Sequence, residues 1–170
     1  MTDELVALDA EAKALEAPHD HKEELRLWLR LLTCANLIEA TVRRKLRDGF
    51  DETLPRFDLM AQLDRAPDGM TLSELAQRMM VSNGNLTALV ERLVEAGQVT
   101  RRAAPSDRRA QMVALTPNGR KAFRKMATAH EDWIAEMMSE LTPKDLADLM
   151  RSLGKLKSSA RAAAEKMSAP

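Results

Sequence analysis

The residues with the clearest chemical use lie between Thr71 and Gly119. Ser82-Asn83-Gly84-Asn85, with Thr87 and Ala88, gathers short polar and small side chains at the start of a helical pattern. Arg101 and Arg102 stand on a strand-like run, and Asp107-Arg108-Arg109 stands between that run and the next. Amide side chains match the donor and acceptor edge of adenine, and small groups meet a thymine methyl. Guanidinium groups lie along phosphates or enter a narrow minor groove. An aspartate is out of place beside phosphates unless it orients an arginine, so Asp107 is read as pinning Arg109 or Arg108. Against these readings stand a plain helix start at Asn83 to Asn85 and a solvated turn at Asp107.

Capping chemistry locates the elements that hold these groups. Thr53 precedes Pro55, Thr71 and Glu74 form a T-x-x-E box, Ser82 precedes the amide cluster, and Thr116-Pro117 and Thr142-Pro143 place a hydroxyl before a first-turn proline. The hydroxyl accepts from an unpaired backbone N–H, and proline has no N–H to leave unpaired. Gly97 follows an apolar run, as a helix-ending residue does. The resulting map has an acidic helix over 3–16, interrupted by Pro18, and a long helix over 22–47. Short helices follow at 54–65, 72–80 and 83–96, strands at 98–103 and 111–115, and long helices at 117–140 and 143–165. The fold class is mainly α with a small β-hairpin wing: two short helices and a basic hairpin, flanked by long terminal helices.

Apolar side chains at three-four spacing decide how the long helices pack. Leu25, Trp28, Leu29, Leu32 and Ala35 form one stripe of the first long helix, and Leu27, Leu31, Cys34, Ile38 and Val42 another. The last two helices carry Phe123 to Leu141 and Leu146, Leu149, Met150, Leu153 and Leu156. That is more apolar face than a small winged core covers, so a second copy of the chain in a twofold homodimer is expected.

Composition narrows the class. The 170 residues are 45% hydrophobic and 31% charged with zero formal net charge, which describes a folded chain and not a diffuse basic coat. Residues 1–24 hold eight acids against two lysines, whereas residues 98–128 hold eight bases against Asp107 alone. A locally basic patch on a neutral protein fits a duplex footprint or a solvated face. One cysteine excludes an internal disulfide framework. No apolar run reaches the roughly eighteen residues a membrane span needs, and the acidic start is unlike a secretion signal, so a cytoplasmic protein without membrane partners is expected.

Catalytic and metal chemistry find no constellation. No serine elbow or Gly-rich phosphate loop occurs. His19-Asp20-His21 offers two imidazoles two residues apart with no third ligand in view. The expectation is no enzyme, no metal and no cofactor. His130 lies on an apolar stripe, as a core histidine or a pocket residue. Cys34 has no neighbouring cation or tyrosine to activate it, which favours a small core residue over a redox sensor.

The run Ser73-Glu74-Leu75-Ala76, Val81-Ser82, Leu86 to Leu93, Gly97 to Arg101, Asp107-Arg108-Arg109 and Val113 to Thr116 with Gly119 resembles the MarR family of bacterial regulators. The spacing D-x-R-x5-L-T-x-x-G carries the likeness, which extends over about 25–156. The resemblance implies one MarR-type domain over 1–170. Its winged helix-turn-helix core would occupy 53–116, with dimerisation and ligand helices at 1–50 and 117–166. It implies a homodimer on a pseudo-palindromic operator in double-stranded DNA. Ser82, Asn83, Gly84, Asn85, Thr87 and Ala88 would lie in the major groove, Arg101, Asp107 and Arg108 on the wing, and Arg109 in the minor groove. Ala88 departs from the longer polar residue of many members. Within the family, the runs from Leu29 to Arg65 and from Met79 to Val94 are most similar to repressors of hydroxycinnamate catabolism that respond to p-coumaroyl-CoA or feruloyl-CoA. The pocket is then expected where the first long helix meets the winged core and the helix over 117–140. Trp28, Thr33, Asn36, His130 and Trp133 would line it, Met60, Met80, Met112 and Met126 would supply apolar surface, and Arg26, Arg30, Arg43 and Arg44 would meet the phosphates. A free phenolic acid or drug is the alternative effector.

Overall fold

A computed structural model describes residues 22–103 and 111–168. The chain forms two compact units, 1–131 and 132–170. In the first unit, helix α1 (Lys22–Phe50) opens with Glu23 and Glu24 and ends with Arg47, each sign opposing the helix dipole. Only Val42 and Leu46, near its end, are buried. Asp51, in the left-handed region at φ 52°, ends the helix.

Helix α2 (Leu54–Asp64) supplies the floor of the core through Phe57, Leu59, Met60 and Leu63. Thr53 has the extended backbone of a cap, but its hydroxyl makes no capping bond, contrary to the sequence expectation. Glu52 orders this corner instead: its Oε1 accepts the Thr53 N–H at 3.0 Å and lies 3.0 Å from Arg56 Nε.

Strand β1 (Met70–Thr71), absent from the sequence map, pairs antiparallel with β3 (Gln111–Leu115) through Met70↔Val113 and Thr71↔Met112. Gly69 makes the entry possible: its φ is +91°, and a Cβ there would sit 2.5 Å from the Val113 carbonyl oxygen. Strand β2 (Val99–Ala103) flanks β3 on its other side, giving the order β1-β3-β2 with Val99↔Leu115 and Arg101↔Val113.

Helices α3 (Leu72–Met79) and α4 (Asn83–Glu95) form the helix-turn-helix. The Thr71–Glu74 box is complete: the Glu74 N–H donates to Thr71 Oγ1 at 3.2 Å, and the Thr71 N–H donates to Glu74 Oε2 at 2.8 Å. The Thr71 N–H first, and then the Thr71 hydroxyl, which also donates to Glu74 Oε2 at 2.8 Å, hold the Glu74 carboxyl below its ordinary range. Helix α3 closes on Met80, which takes a left-handed φ of 55° while the Val81 N–H donates to the Ala76 carbonyl. Met80 is 93% exposed, which corrects its expected place on a pocket wall; Met60 and Met126 are core residues. Helix α4 ends in a Schellman motif: Gly97 at φ 66° donates to the Val94 carbonyl, and the Gln98 N–H donates to that of Leu93.

Helix α5 (Pro117–Met137) starts on Thr116, whose hydroxyl accepts the Gly119 N–H at 2.9 Å and donates to the Gly97 carbonyl at 2.8 Å. Gly119 is pressed on the wing root, where a Cβ would meet the Gln98 carbonyl oxygen at 1.9 Å. Arg120 binds Asp64 at 2.8 Å, joining α5 to the end of α2. In the second unit, α6 (Pro143–Ser168) begins on Thr142, which accepts the Asp145 N–H at 3.2 Å, and Asp145 accepts the Thr142 N–H at 3.0 Å. None of its residues is buried.

Candidate nucleic-acid interface

Helix α4 separates two faces by its own periodicity. Leu86, Val90 and Leu93 are fully buried, whereas Ser82, Asn83, Gly84, Asn85 and Ala88 are exposed and Thr87 is half-buried. Ser82 Oγ accepts the Asn85 N–H at 3.3 Å, and the Leu86 N–H donates to the Ser82 carbonyl. The N–H groups of Asn83 and Gly84 meet no acceptor among the described residues, so the helix start is open to an anion. Thr87 donates its hydroxyl proton to the Asn83 carbonyl at 2.9 Å, which leaves it an acceptor and a methyl. Gly84 has nothing within 4 Å of a built Cβ, so the fold does not require a glycine there. A glycine inside a helix lowers its stability by about 1 kcal/mol relative to alanine. This one leaves room for close approach from outside.

The wing contributes unevenly. Arg101 is exposed opposite Val113. Arg102 is tied back, donating from its guanidinium to the Asp68 carbonyl at 3.2 Å. Asp107, Arg108 and Arg109 lie outside the described residues. The basic run read as one patch is therefore divided. Arg120 is neutralised by Asp64, and Lys121 and Lys125 line a separate cleft on α5.

The residues expected to hold an effector scatter along α1. Arg26 and Arg30 flank an open groove on α1 with Glu23 and Leu27. Trp28 is 57% exposed, and Arg44 is exposed. Thr33 spends its proton on the Leu29 carbonyl at 2.9 Å. Asn36 and Arg43 share a shallow hollow of about 250 Å³ with Glu39 and Ala40, where Arg43 is paired with Glu39. His130 packs on Phe57 with ring centroids 5.1 Å apart. Asp58, unremarked in the sequence, joins this group electrically. Burial of its inner side raises its carboxyl above the usual range and Glu39 adds to the rise, while His130 and Arg43 oppose it. Trp133 belongs to the second unit. Cys34 is exposed, which corrects its reading as a core residue. Among the described residues no cluster of three or more His, Cys, Asp or Glu is placed to hold a metal, and His19 and His21 lie outside them. No helix among the described residues is long and apolar enough to cross a membrane.

Comparison with known proteins agrees with this geometry. The MarR family model matches residues 53–110. The transcriptional activatory protein BadR of Rhodopseudomonas palustris is 30% identical over 143 residues, 81% of each chain. A MarR family transcriptional regulator from Silicibacter pomeroyi superposes with a TM-score of 0.71 at 31% identity, covering 84% of this chain and 99% of that one. Sco3205 of Streptomyces coelicolor, a MarR family regulator solved in complex with DNA, gives 0.72 at 28% identity over 86% of this chain and 89% of its own.

Proposed function

The chain belongs to the MarR family of winged-helix transcriptional regulators, and from that premise we propose that it works as a cytoplasmic homodimer on a pseudo-palindromic operator, repressing genes of aromatic catabolism. The observation that carries the DNA reading is the exposed amino end of α4. Asn83, Gly84, Asn85, Thr87 and Ala88 stand clear of a fully buried opposite face, beside two unpaired backbone N–H groups. Sco3205 was solved in complex with DNA, which supports DNA binding here. Asn83 and Asn85 read base edges, Arg101 meets phosphate, and Arg109 with Arg108, oriented by Asp107, reaches the minor groove.

The effector in this reading is an aromatic acyl-CoA thioester such as p-coumaroyl-CoA or feruloyl-CoA. Arg26, Arg30, Arg43 and Arg44 lie on α1 for its phosphates, and the Asp58–His130 side of the core takes its aromatic end. The effector shifts the protein between DNA-competent and incompetent states only by its differential affinity for them. Titrating labelled duplex with protein at rising salt, then adding thioester, free acid or CoA, tests both parts. Affinity should fall steeply with salt, since phosphate contacts release counterions, and the thioester alone should release the DNA. Release by the free acid and not the thioester favours a phenolic-acid sensor instead. One relative is named as an activatory protein. Activation is therefore the second reading, and a reporter gene in a deletion strain separates the two by the sign of the change.

A further inference from the structure

Among the described residues two carry a left-handed backbone without being glycine, Asp51 at φ 52° and Met80 at φ 55°. Aspartate visits that region readily, whereas a methionine Cβ crowds the following carbonyl. The end of α3 holds Met80 there: its N–H donates to the Gln77 carbonyl, and the Val81 N–H donates to that of Ala76. Glycine would meet the same backbone need without strain. The Met80 side chain gives the fold nothing in exchange. At 93% exposure it is the most exposed large apolar side chain among the described residues. Met60, Met70 and Met126 are core residues by contrast. An apolar side chain that the fold neither buries nor accommodates without strain is evidence for a contact outside the chain.

Its place in the chain says what that contact is. Val81 alone separates it from Ser82, the cap of α4, and the open N–H groups of Asn83 and Gly84 follow directly. Consecutive Cα atoms lie about 3.8 Å apart, so the Met80 Cα is within about 8 Å of that of Ser82. The major groove is about 12 Å wide. A duplex that admits the amino end of α4 therefore comes within reach of a long side chain with three rotatable bonds. We infer that Met80 is a further specificity-determining residue of this interface, its thioether packing on the 5-methyl group of a thymine beside the bases that Asn83 and Asn85 meet. That methyl is the apolar feature the major groove offers, and a polarisable, unbranched side chain adapts to it. The inference rests on the DNA reading of α4 and on no effector.

The test uses the duplex most enriched from a random-sequence pool by the full-length protein, with each thymine in turn replaced by uracil. That change removes the methyl and leaves the pairing edge as it was. The wild type should lose about fourfold in affinity at one such position in each half-site, the worth of one buried methyl group. Met80→Gly should bind the thymine and uracil duplexes alike at that position and keep the wild-type losses at any other. It should also melt no lower than the wild type, because the left-handed strain is gone. Met80→Leu, still apolar, should keep the methyl dependence. A wild type that loses affinity at no thymine overturns the inference. So does an unchanged methyl dependence in Met80→Gly, even where that variant binds every duplex more weakly. A lower melting midpoint for Met80→Gly assigns the side chain to the fold and overturns it too. Enrichment of no duplex by the wild type removes the DNA reading itself, and the inference with it.

Discussion

The winged core and helix α6 use the same side chains at the same spacing and meet opposite fates. In the core, Leu59, Leu63, Leu75, Leu86 and Leu93 are fully buried. In α6, Leu146, Leu149, Leu153 and Leu156 follow each other at intervals of three and four and stay 38–46% exposed. The core closes on itself because its short helices and small sheet present apolar faces to one another. The α6 stripe lies on one long helix, and the unit of residues 132–170 is too small to cover it. Apolar periodicity fixes which face a helix will bury, and the tertiary partner decides whether this chain buries it alone. This contrast supports the dimer proposal, since a repeated a/d stripe is what a second copy packs against.

The largest effect should follow from breaking the α6 stripe. Leu149→Asp with Leu153→Asp places four carboxylates in a twofold interface and should weaken self-association on the order of a hundredfold or more. Sedimentation would then show monomers whose circular dichroism keeps the helical core; an unchanged dimer would remove α6 from the interface. Gly119→Ala attacks the core at its tightest point, where the new Cβ meets the Gln98 carbonyl. It should cost about 3 kcal/mol in urea unfolding, and a loss below about 0.5 kcal/mol would mean that α5 does not rest on the wing root as described. Gly84→Ala sharpens the comparison from the other side. It should stabilise α4 by about 0.5–1 kcal/mol and weaken DNA binding, separating a residue kept for the fold from one kept for a partner.

The smallest effects come from pH. The raised Asp58 carboxyl binds its proton more tightly in the folded chain than in the unfolded one. Stability from this site therefore falls as pH rises from the ordinary carboxylate range through the raised value. Asp58→Asn should raise the melting midpoint at neutral pH and remove that slope. Glu74 and Asp145 have the opposite sign, their carboxyls being held low by cap bonds. Their contribution is present above the ordinary range and is lost as pH falls through the depressed values. A melting curve that improves on acidification below that range would contradict the cap assignment.

Local chemistry made much of this fold legible. The boxes at Thr71 and Thr142, the caps at Ser82 and Thr116 and the terminator Gly97 each work through residues within about five positions. They were readable because a hydroxyl and the N–H it accepts are fixed by backbone geometry. Features set by distant partners were not. Strand β1 has two residues and exists because β3 offers it a ladder, so no alternation announces it. Thr53 looked like its fellow caps, but the neighbouring Glu52 is buried and takes over the ordering of the corner. Arg102 and Arg120 read as free cations and are tied to Asp68 and Asp64. The two faces of α4 were visible in Leu86, Val90 and Leu93 set against the short polar residues. The effector residues on α1 were not gathered by any comparable pattern: Arg26 and Arg30 share one groove, and Asn36 and Arg43 a separate hollow.

The central claim is that two copies present α4 to successive major grooves. Selection of duplexes from a random-sequence pool by the purified protein tests it most directly. The account predicts enrichment of an inverted repeat whose half-sites are centred about one helical turn, roughly 10 base pairs, apart. Enrichment of a single unrepeated site, or no enrichment above the input pool, would contradict it.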